Sequence, residues 1–188
     1  VVCGYAEIFK HSLIANKKLF LFLDKNLSNI LKLNPKFIQK AILESCKVKK
    51  QIVEKDEKEN NLRKSLNLGH TFGHAYEATL NYSSKLNHGE AVLYGILSAT
   101  KLSKKLNLLG KNDYEQILSH LSKLKFTNLG KLFSRKDLKK IINFMANDKK
   151  NVSKKLNLIT LKKIGRVNIS KQYNTVQIRN FIKSELLK

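Results

Sequence analysis

Three of the chain's five histidines, His70, His74 and His88, lie within the stretch "LNLGHTFGHAYEATLNYSSKLNHGEAV", Leu66 to Val92. His70 and His74 stand four apart, which places both imidazoles on one face of a helix, where they can bite a metal together. His88 precedes Gly89-Glu90 at an expected helix start. A polarising or hydrolytic zinc site needs about three protein ligands and an open position for water or substrate. Three histidines would make it, and so would two with a carboxylate. The competing reading of the spacing is a surface or hydrogen-bonded pair on an amphipathic helix. A metalloprotease helix is excluded, because Thr71 stands where that motif carries a glutamate beside its first histidine.

The residues around the pair add to the chemistry. Asn67, Gly69 and Gly73 weaken a helix there, at about 1 kcal/mol per glycine relative to alanine, so something must approach the backbone closely. Upstream, "EKDEKENNLRKSLNLGH" spaces Glu59, Arg63 and Asn67 by four, and Lys49 precedes them. On a continuous helix the three would align. A cation, an anion and an amide beside a metal suit an anionic, hydroxylated substrate. The simpler alternative is a solvated helix face with an ordinary Glu59–Arg63 pair, worth about 0.3 kcal/mol.

The elements that must position these groups read as mainly helical. Apolar residues at helical spacing run from Tyr5 to Leu23. Asn34-Pro35 is a cap followed by proline at the first helical position, and the helix it starts sets Ile38, Ala41, Ile42, Ser45, Cys46, Ile52 and Val53 along one stripe. A further helix covers His70 to Leu80. Ala91 to Leu102 is apolar almost all round and should be buried. Amphipathic helices are expected at Asp113–Leu124 and Lys136–Ala146, and Asn174 caps a last one through Leu186. "LNLITLKKIGRVNI", Leu156 to Ile169, alternates like strands around Gly165 and predicts a short hairpin.

Composition bounds the rest. At 188 residues and 42 % apolar content the chain accommodates one domain with a real core. No apolar run nears the roughly 18 residues of a membrane span, and a signal peptide is not expected from the opening residues. Two cysteines, Cys3 and Cys46, are too few for a disulfide framework and predict a cytoplasmic protein. Met145 is the single methionine, which predicts a piece of a longer protein. The net charge of +23 invites a nucleic-acid reading, but only four arginines contribute and the lysines are scattered rather than gathered into a patch. Specific nucleic-acid binding is therefore not expected.

Three separated motifs carry a resemblance. "GYAEIFKHSLI" at Gly4–Ile14, "DEKENNLRKSLNLGHTFGHAYE" at Asp56–Glu77 and "HGEAVLYGI" at His88–Ile96 resemble 3-dehydroquinate synthase, in the same order and at similar separations. The resemblance covers that family's C-terminal, mostly helical domain and continues through "NDKK" at Asn147–Lys150 into a strand-and-helix tail. It implies a mainly α fold with a short β segment near 156–169, and a missing N-terminal NAD-binding domain.

The resemblance also implies a site. The family's catalytic metal, zinc or cobalt, is held by a glutamate and two histidines, which match Glu7, His70 and His88. That set differs from the His70–His74 pair read from spacing. His74 then matches a proton-handling group near the substrate hydroxyl and phosphonate, and Glu59 an acidic member of the active-site network. Lys10, Lys49, Arg63, Asn67 and His74 match substrate contacts, with one of Lys149 and Lys150 binding the phosphonate. His74, Glu59 and Lys10 are the expected catalytic residues. The implied reaction closes 3-deoxy-D-arabino-heptulosonate 7-phosphate to 3-dehydroquinate and phosphate in the shikimate pathway, in a cytoplasmic homodimer that uses NAD.

Departures set limits on it. No G-x-G-x-x-G or other glycine-rich phosphate loop occurs, so NAD should be bound mainly by the missing domain, and the chain alone should bind zinc without turning over. Asn60-Asn61 replaces a pair that usually contains glycine, and the Asn81–Asn87 loop carries an extra residue. Two rivals are another sugar-phosphate cyclase, such as a 2-deoxy-scyllo-inosose or valiolone-type synthase, and, more remotely, a basic nucleic-acid-binding module.

Overall fold

A computed structural model describes residues 2–124, 129–147 and 155–186. Helix α1, Val2–Ala15, buries Tyr5, Ala6, Phe9 and Leu13. It stops at Asn16, whose side chain accepts the Leu19 N–H at 2.9 Å and caps α2, Lys17–Leu31. The apolar spacing from Tyr5 to Leu23 predicts one helix here. The structure makes two, because the pattern persists on both sides of a capping residue that redirects the chain.

Helix α3, Pro35–Lys55, begins with its proline in the first turn, although Asn34 makes no side-chain cap bond. Its buried face is Ala41, Ser45, Val48 and Ile52. Ile42, 48 % exposed, and Cys46 belong to the expected stripe yet face outward, one residue or about 100° round the helix from Ala41 and Ser45.

A turn follows, and then a 3-10 segment, Leu62–Asn67. The continuous helix that would have aligned Glu59, Arg63 and Asn67 does not form. Glu59 sits at φ 54°, the left-handed region, and Asp56 takes the N–H groups of Asn60, Asn61 and Arg63 at 2.8–2.9 Å. A side chain that competes this well for backbone donors favours a turn over a helix.

Helix α4 spans His70–Thr79 and α5 spans His88–Lys105. α5 is the centre of the fold, and α1, α4, α6 (Lys111–Ser122) and the first strand pack around it. Gly69, at φ +80°, lets the chain turn into α4, and Gly95 of α5 lies against it so closely that a Cβ at Gly95 would collide with the Gly69 carbonyl. The close approach implied by the weak helix at Gly69 is therefore a neighbouring helix backbone.

The rest is a short helix α7 (Leu129–Leu132), a 3-10 turn at Arg135–Asp137, α8 (Leu138–Asn147), a hairpin and α9 (Thr175–Phe181) running into one π-helical turn, Ile182–Leu186. The hairpin pairs β1, Lys155–Lys163, with β2, Arg166–Asn174, in antiparallel register from Lys155–Asn174 to Lys163–Arg166. It is longer than the 156–169 segment expected, because "KQYN" continues the pairing past the alternating stretch. Leu156, Leu158 and Leu161 face the core, and the Gly165 N–H bonds the Leu13 carbonyl at 2.9 Å, tying the turn to the end of α1.

Two histidines belong to this scaffold. His120, fully buried, accepts the Tyr5 hydroxyl at Nε2 (2.6 Å) and donates from Nδ1 to Asp24 (2.8 Å), linking α1, α6 and α2. His11 bonds Ser45 of α3 at 2.7 Å. Among the described residues no helix is long and apolar enough to cross a membrane.

Candidate metal and substrate site

The remaining three histidines converge. Helix α4 presents His70, His74 and Glu77 at i, i+4 and i+7, one face of the helix. His88 opens α5, fixed there by a capping box in which Asn87 accepts the Glu90 N–H at 3.0 Å and Glu90 accepts the Asn87 N–H at 3.2 Å. A Cβ on Gly89, the next residue, would strike the Cys3 backbone, so α5 begins hard against α1. That contact brings Glu7 and Lys10 of α1 beside the histidines.

The rings of His70 and His74 lie 5.3 Å apart, centroid to centroid and edge-on, and His88 lies 5.9 Å from each. Glu7 Oε1 is 3.6 Å from His70 Nε2. Its other oxygen accepts the Lys10 ammonium at 2.7 Å. Oε1 itself is buried and makes no hydrogen bond among the described residues. Burying an unpaired carboxylate oxygen costs on the order of 1–3 kcal/mol, and coordination to a cation would satisfy it.

The histidines are oriented to match. His70 Nδ1 faces the Leu68 carbonyl at 3.3 Å and donates to it, leaving the Nε2 lone pair on the Glu7 side. His88 Nδ1 faces both oxygens of Glu77 at 3.2 Å. Glu7 Oε1 and His70 Nε2 thus face one another with the His88 ring adjoining, a set of one carboxylate and two imidazoles, residue types that zinc takes. A second set shares His88: ligand atoms of His74, Glu77 and His88 all lie within 4.8 Å of one another, the one group among the described residues that converges this closely. The unsatisfied Glu7 oxygen distinguishes the first, since the Glu77 oxygens are already engaged.

Protonation states suit the first set too. Burial, with the Lys10 charge adding to it, pushes His70 down to about 4 against the pull of Glu7, so the ring is neutral near pH 7. Burial would lift the Glu7 carboxyl, but Lys10 outweighs it and holds the group below its ordinary value, as an anion. Neutral imidazole and ionised carboxylate are the forms that bind metal.

Around this centre lie cations. Lys10 is 3 % exposed, and burial lowers its ammonium pKa, opposed by Glu7 and helped by the exposed Lys49 of α3. Asn67 donates to Glu59 at 3.0 Å, so the turn and the 3-10 segment share one polar tie, though not by helical alignment. The Arg63 guanidinium donates to the Glu57 carbonyl at 2.7 Å. Lys149 and Lys150 lie outside the described residues. Sequence reasoning missed Glu77, Asp56 and His11. Glu77 was within reach of it, being seven residues beyond His70 on the same face.

Comparison with known proteins identifies the family of the chain. Residues 4–151 match the family model "3-dehydroquinate synthase C-terminal". The 3-dehydroquinate synthase of Pelagibacter ubique (strain HTCC1062) is 52 % identical over 189 residues, covering 100 % of this chain and 51 % of that protein. That of Dictyoglomus turgidum (strain DSM 6724 / Z-1310) is 41 % identical over 180 residues, 96 % and 49 % of the two chains. The chain spans about half the length of the curated relatives it matches. Among solved structures, 2-epi-5-epi-valiolone synthase from Streptomyces hygroscopicus subsp. jinggangensis 5008, with NAD+ and Zn2+ bound, superposes with a TM-score of 0.81 at 17 % identity, over 97 % of this chain and 50 % of that one. A 2-deoxy-scyllo-inosose synthase complexed with carbaglucose-6-phosphate, NAD+ and Co2+ gives 0.80 at 23 % identity with the same coverage. The chain belongs to the 3-dehydroquinate synthase C-terminal family.

Proposed function

We propose that this chain is the metal- and substrate-binding part of a 3-dehydroquinate synthase. The longer protein would convert 3-deoxy-D-arabino-heptulosonate 7-phosphate to 3-dehydroquinate and phosphate in the shikimate route. The observation that carries the reading is the buried, unsatisfied Oε1 of Glu7 facing His70 Nε2, beside His88, in a chain of this family.

Glu7, His70 and His88 would hold the metal. When bound, zinc or cobalt supplies a Lewis acid at a substrate oxygen, and NAD supplies a hydride acceptor and donor. Everything else falls to side chains. Lys10, with Lys49 near it, and Arg63 neutralise and orient a substrate that carries both carboxylate and phosphate. Asn67, braced by Glu59, offers its amide to ring hydroxyls. His74 is exposed and stands edge-on to His70, a position from which it binds a substrate hydroxyl and moves its proton. Lys10 and Glu59 serve the same network. One of Lys149 and Lys150 completes the phosphonate contact.

The same reading carries NAD binding by a preceding domain, a homodimer and a cytoplasmic location. The last is in keeping with Cys3 and Cys46, both free and exposed. The test is phosphate release from the heptulosonate phosphate, with NAD and zinc present, by the chain joined to an NAD-binding half and by the 188 residues alone. Activity in the first and none in the second is expected. Turnover of a carboxylate-free sugar phosphate in preference would move the assignment to another sugar-phosphate cyclase.

A further inference from the structure

Glu77 does nothing in the scheme above, yet it is placed with care. It sits on the last turns of α4, is 8 % exposed, and both its oxygens lie 3.2 Å from one nitrogen of His88. A carboxylate is taken this far out of water at a cost of several kcal/mol unless a polar partner compensates, on the order set by ion desolvation. The compensation here is an imidazole N–H.

His88 needs such a partner. Its side chain is 51 % exposed, so packing does not fix the ring. The capping box at Asn87 and the contact of Gly89 with Cys3 fix its backbone and leave its side-chain torsions free. The neighbouring rings of His70 and His74 are each 5.9 Å away by centroid, whereas both oxygens of Glu77 lie within hydrogen-bond distance of Nδ1. Glu77, on α4, is placed to accept the Nδ1 proton.

We propose that Glu77 is a positioning residue for the metal. By accepting from Nδ1 it holds His88 in the Nδ1–H tautomer, turned so that Nε2, on the opposite edge of the ring, points its lone pair into the site. The inference rests on the Glu7–His70–His88 ligand set proposed above. His70 is served in the same way by a backbone carbonyl, that of Leu68. The two ligating imidazoles thus have different supports, one fixed by the chain path and one by a side chain open to mutation.

The test uses the intact chain. Ring nitrogen chemical shifts of His88 in metal-free protein read the tautomer directly. Zinc affinity by chelator competition and the absorption of the cobalt-loaded protein read the metal. Wild type is expected to show the Nδ1–H form. Glu77→Ala should lose that preference and weaken zinc by roughly 10–100-fold, with one ion still bound and the cobalt band shape kept. Glu77→Gln, whose amide oxygen still accepts, should fall between the two and guards against an alanine variant that fails to fold.

Unchanged tautomer and unchanged affinity in both variants would overturn the proposal, as would a fall in melting temperature with no change in either. Complete loss of zinc in Glu77→Gln with an altered cobalt spectrum would overturn it differently, making Glu77 a ligand beside His74 and His88. Failure of the underlying ligand set shows separately, as wild-type zinc affinity in Glu7→Gln.

Discussion

At the scale of single residues the site is built from groups whose burial sets their charge. His11, one residue past Lys10, is 4 % exposed and is pushed down to about 4 by burial, with Lys10 and Lys49 adding and Glu7 opposing. Its folded pKa therefore lies below the ordinary 6.5. Between those two values the unfolded chain takes up a proton that the folded chain refuses. Stability is then complete above about pH 6.5 and declines as the pH falls toward about 4, by up to about 3 kcal/mol for a single such histidine. Urea melts of the metal-free protein across this range should show that decline, and His11→Asn should flatten part of it, with His70 and fully buried His120, both also lowered by burial, contributing to the remainder. A variant as steeply pH-dependent as wild type would remove His11 from the account. None of this was legible in the sequence, where His11 is one histidine among lysines and its Ser45 partner sits 34 positions away.

Elements decide where those residues meet. Asp56 holds the turn that carries Glu59 and Arg63 by accepting three backbone N–H groups, which hold its carboxyl below the ordinary value, Arg63 and Asn61 contributing most. In Asp56→Ala the amides of Asn60, Asn61 and Arg63 should exchange with solvent faster than in wild type, while the α4 amides keep their rates. Equal exchange at all of them would show that the turn stands without its carboxylate. The α4–α5 crossing makes a stronger demand. At Gly95 the obstacle to a Cβ is the Gly69 backbone, which no rotamer change can move aside, so Gly95→Ala should cost about 3 kcal/mol in a urea melt and weaken zinc binding as α4 is displaced. A loss below about 0.5 kcal/mol, the range of ordinary surface changes, would mean the helices part easily there.

The sequence showed that something presses on the backbone at Gly69 and Gly73. It did not show what, because the partners lie in α5, Ala91 for Gly73 and Gly95 for Gly69, 18 and 26 positions on. The break at Asn16 was hidden for the opposite reason. A cap interrupts direction without interrupting apolar spacing, and only the 2.9 Å bond to the Leu19 N–H reveals it.

For the whole molecule, the legible and illegible parts divide by distance along the chain. The helical class, the buried α5 and the hairpin followed from local periodicity, and boundaries moved by a few residues. Spacing paired His70 with His74, since those two are neighbours on one helix. Glu7 could not be reached that way. It stands 63 positions before His70 and arrives only because α1 packs on α5 at Gly89, and the motif resemblance, not periodicity, brought it forward. Glu77 was overlooked although its spacing was favourable, because its role depends on a ring at the start of the next helix. The charge of +23 likewise says little until it is located. Buried Lys10 and nearby Lys49 place part of it beside Glu7 and His70, where it would meet the anionic substrate proposed above.

The central claim is that Glu7, and not His74, joins His70 and His88 in binding the metal. Zinc content and affinity of the purified protein, measured beside Glu7→Gln, His70→Ala, His74→Ala and His88→Ala, test it most directly. One zinc per chain in wild type and in His74→Ala, with loss in the other three, is the predicted result. Zinc kept by Glu7→Gln and lost by His74→Ala would contradict it and give the metal to the α4 face instead.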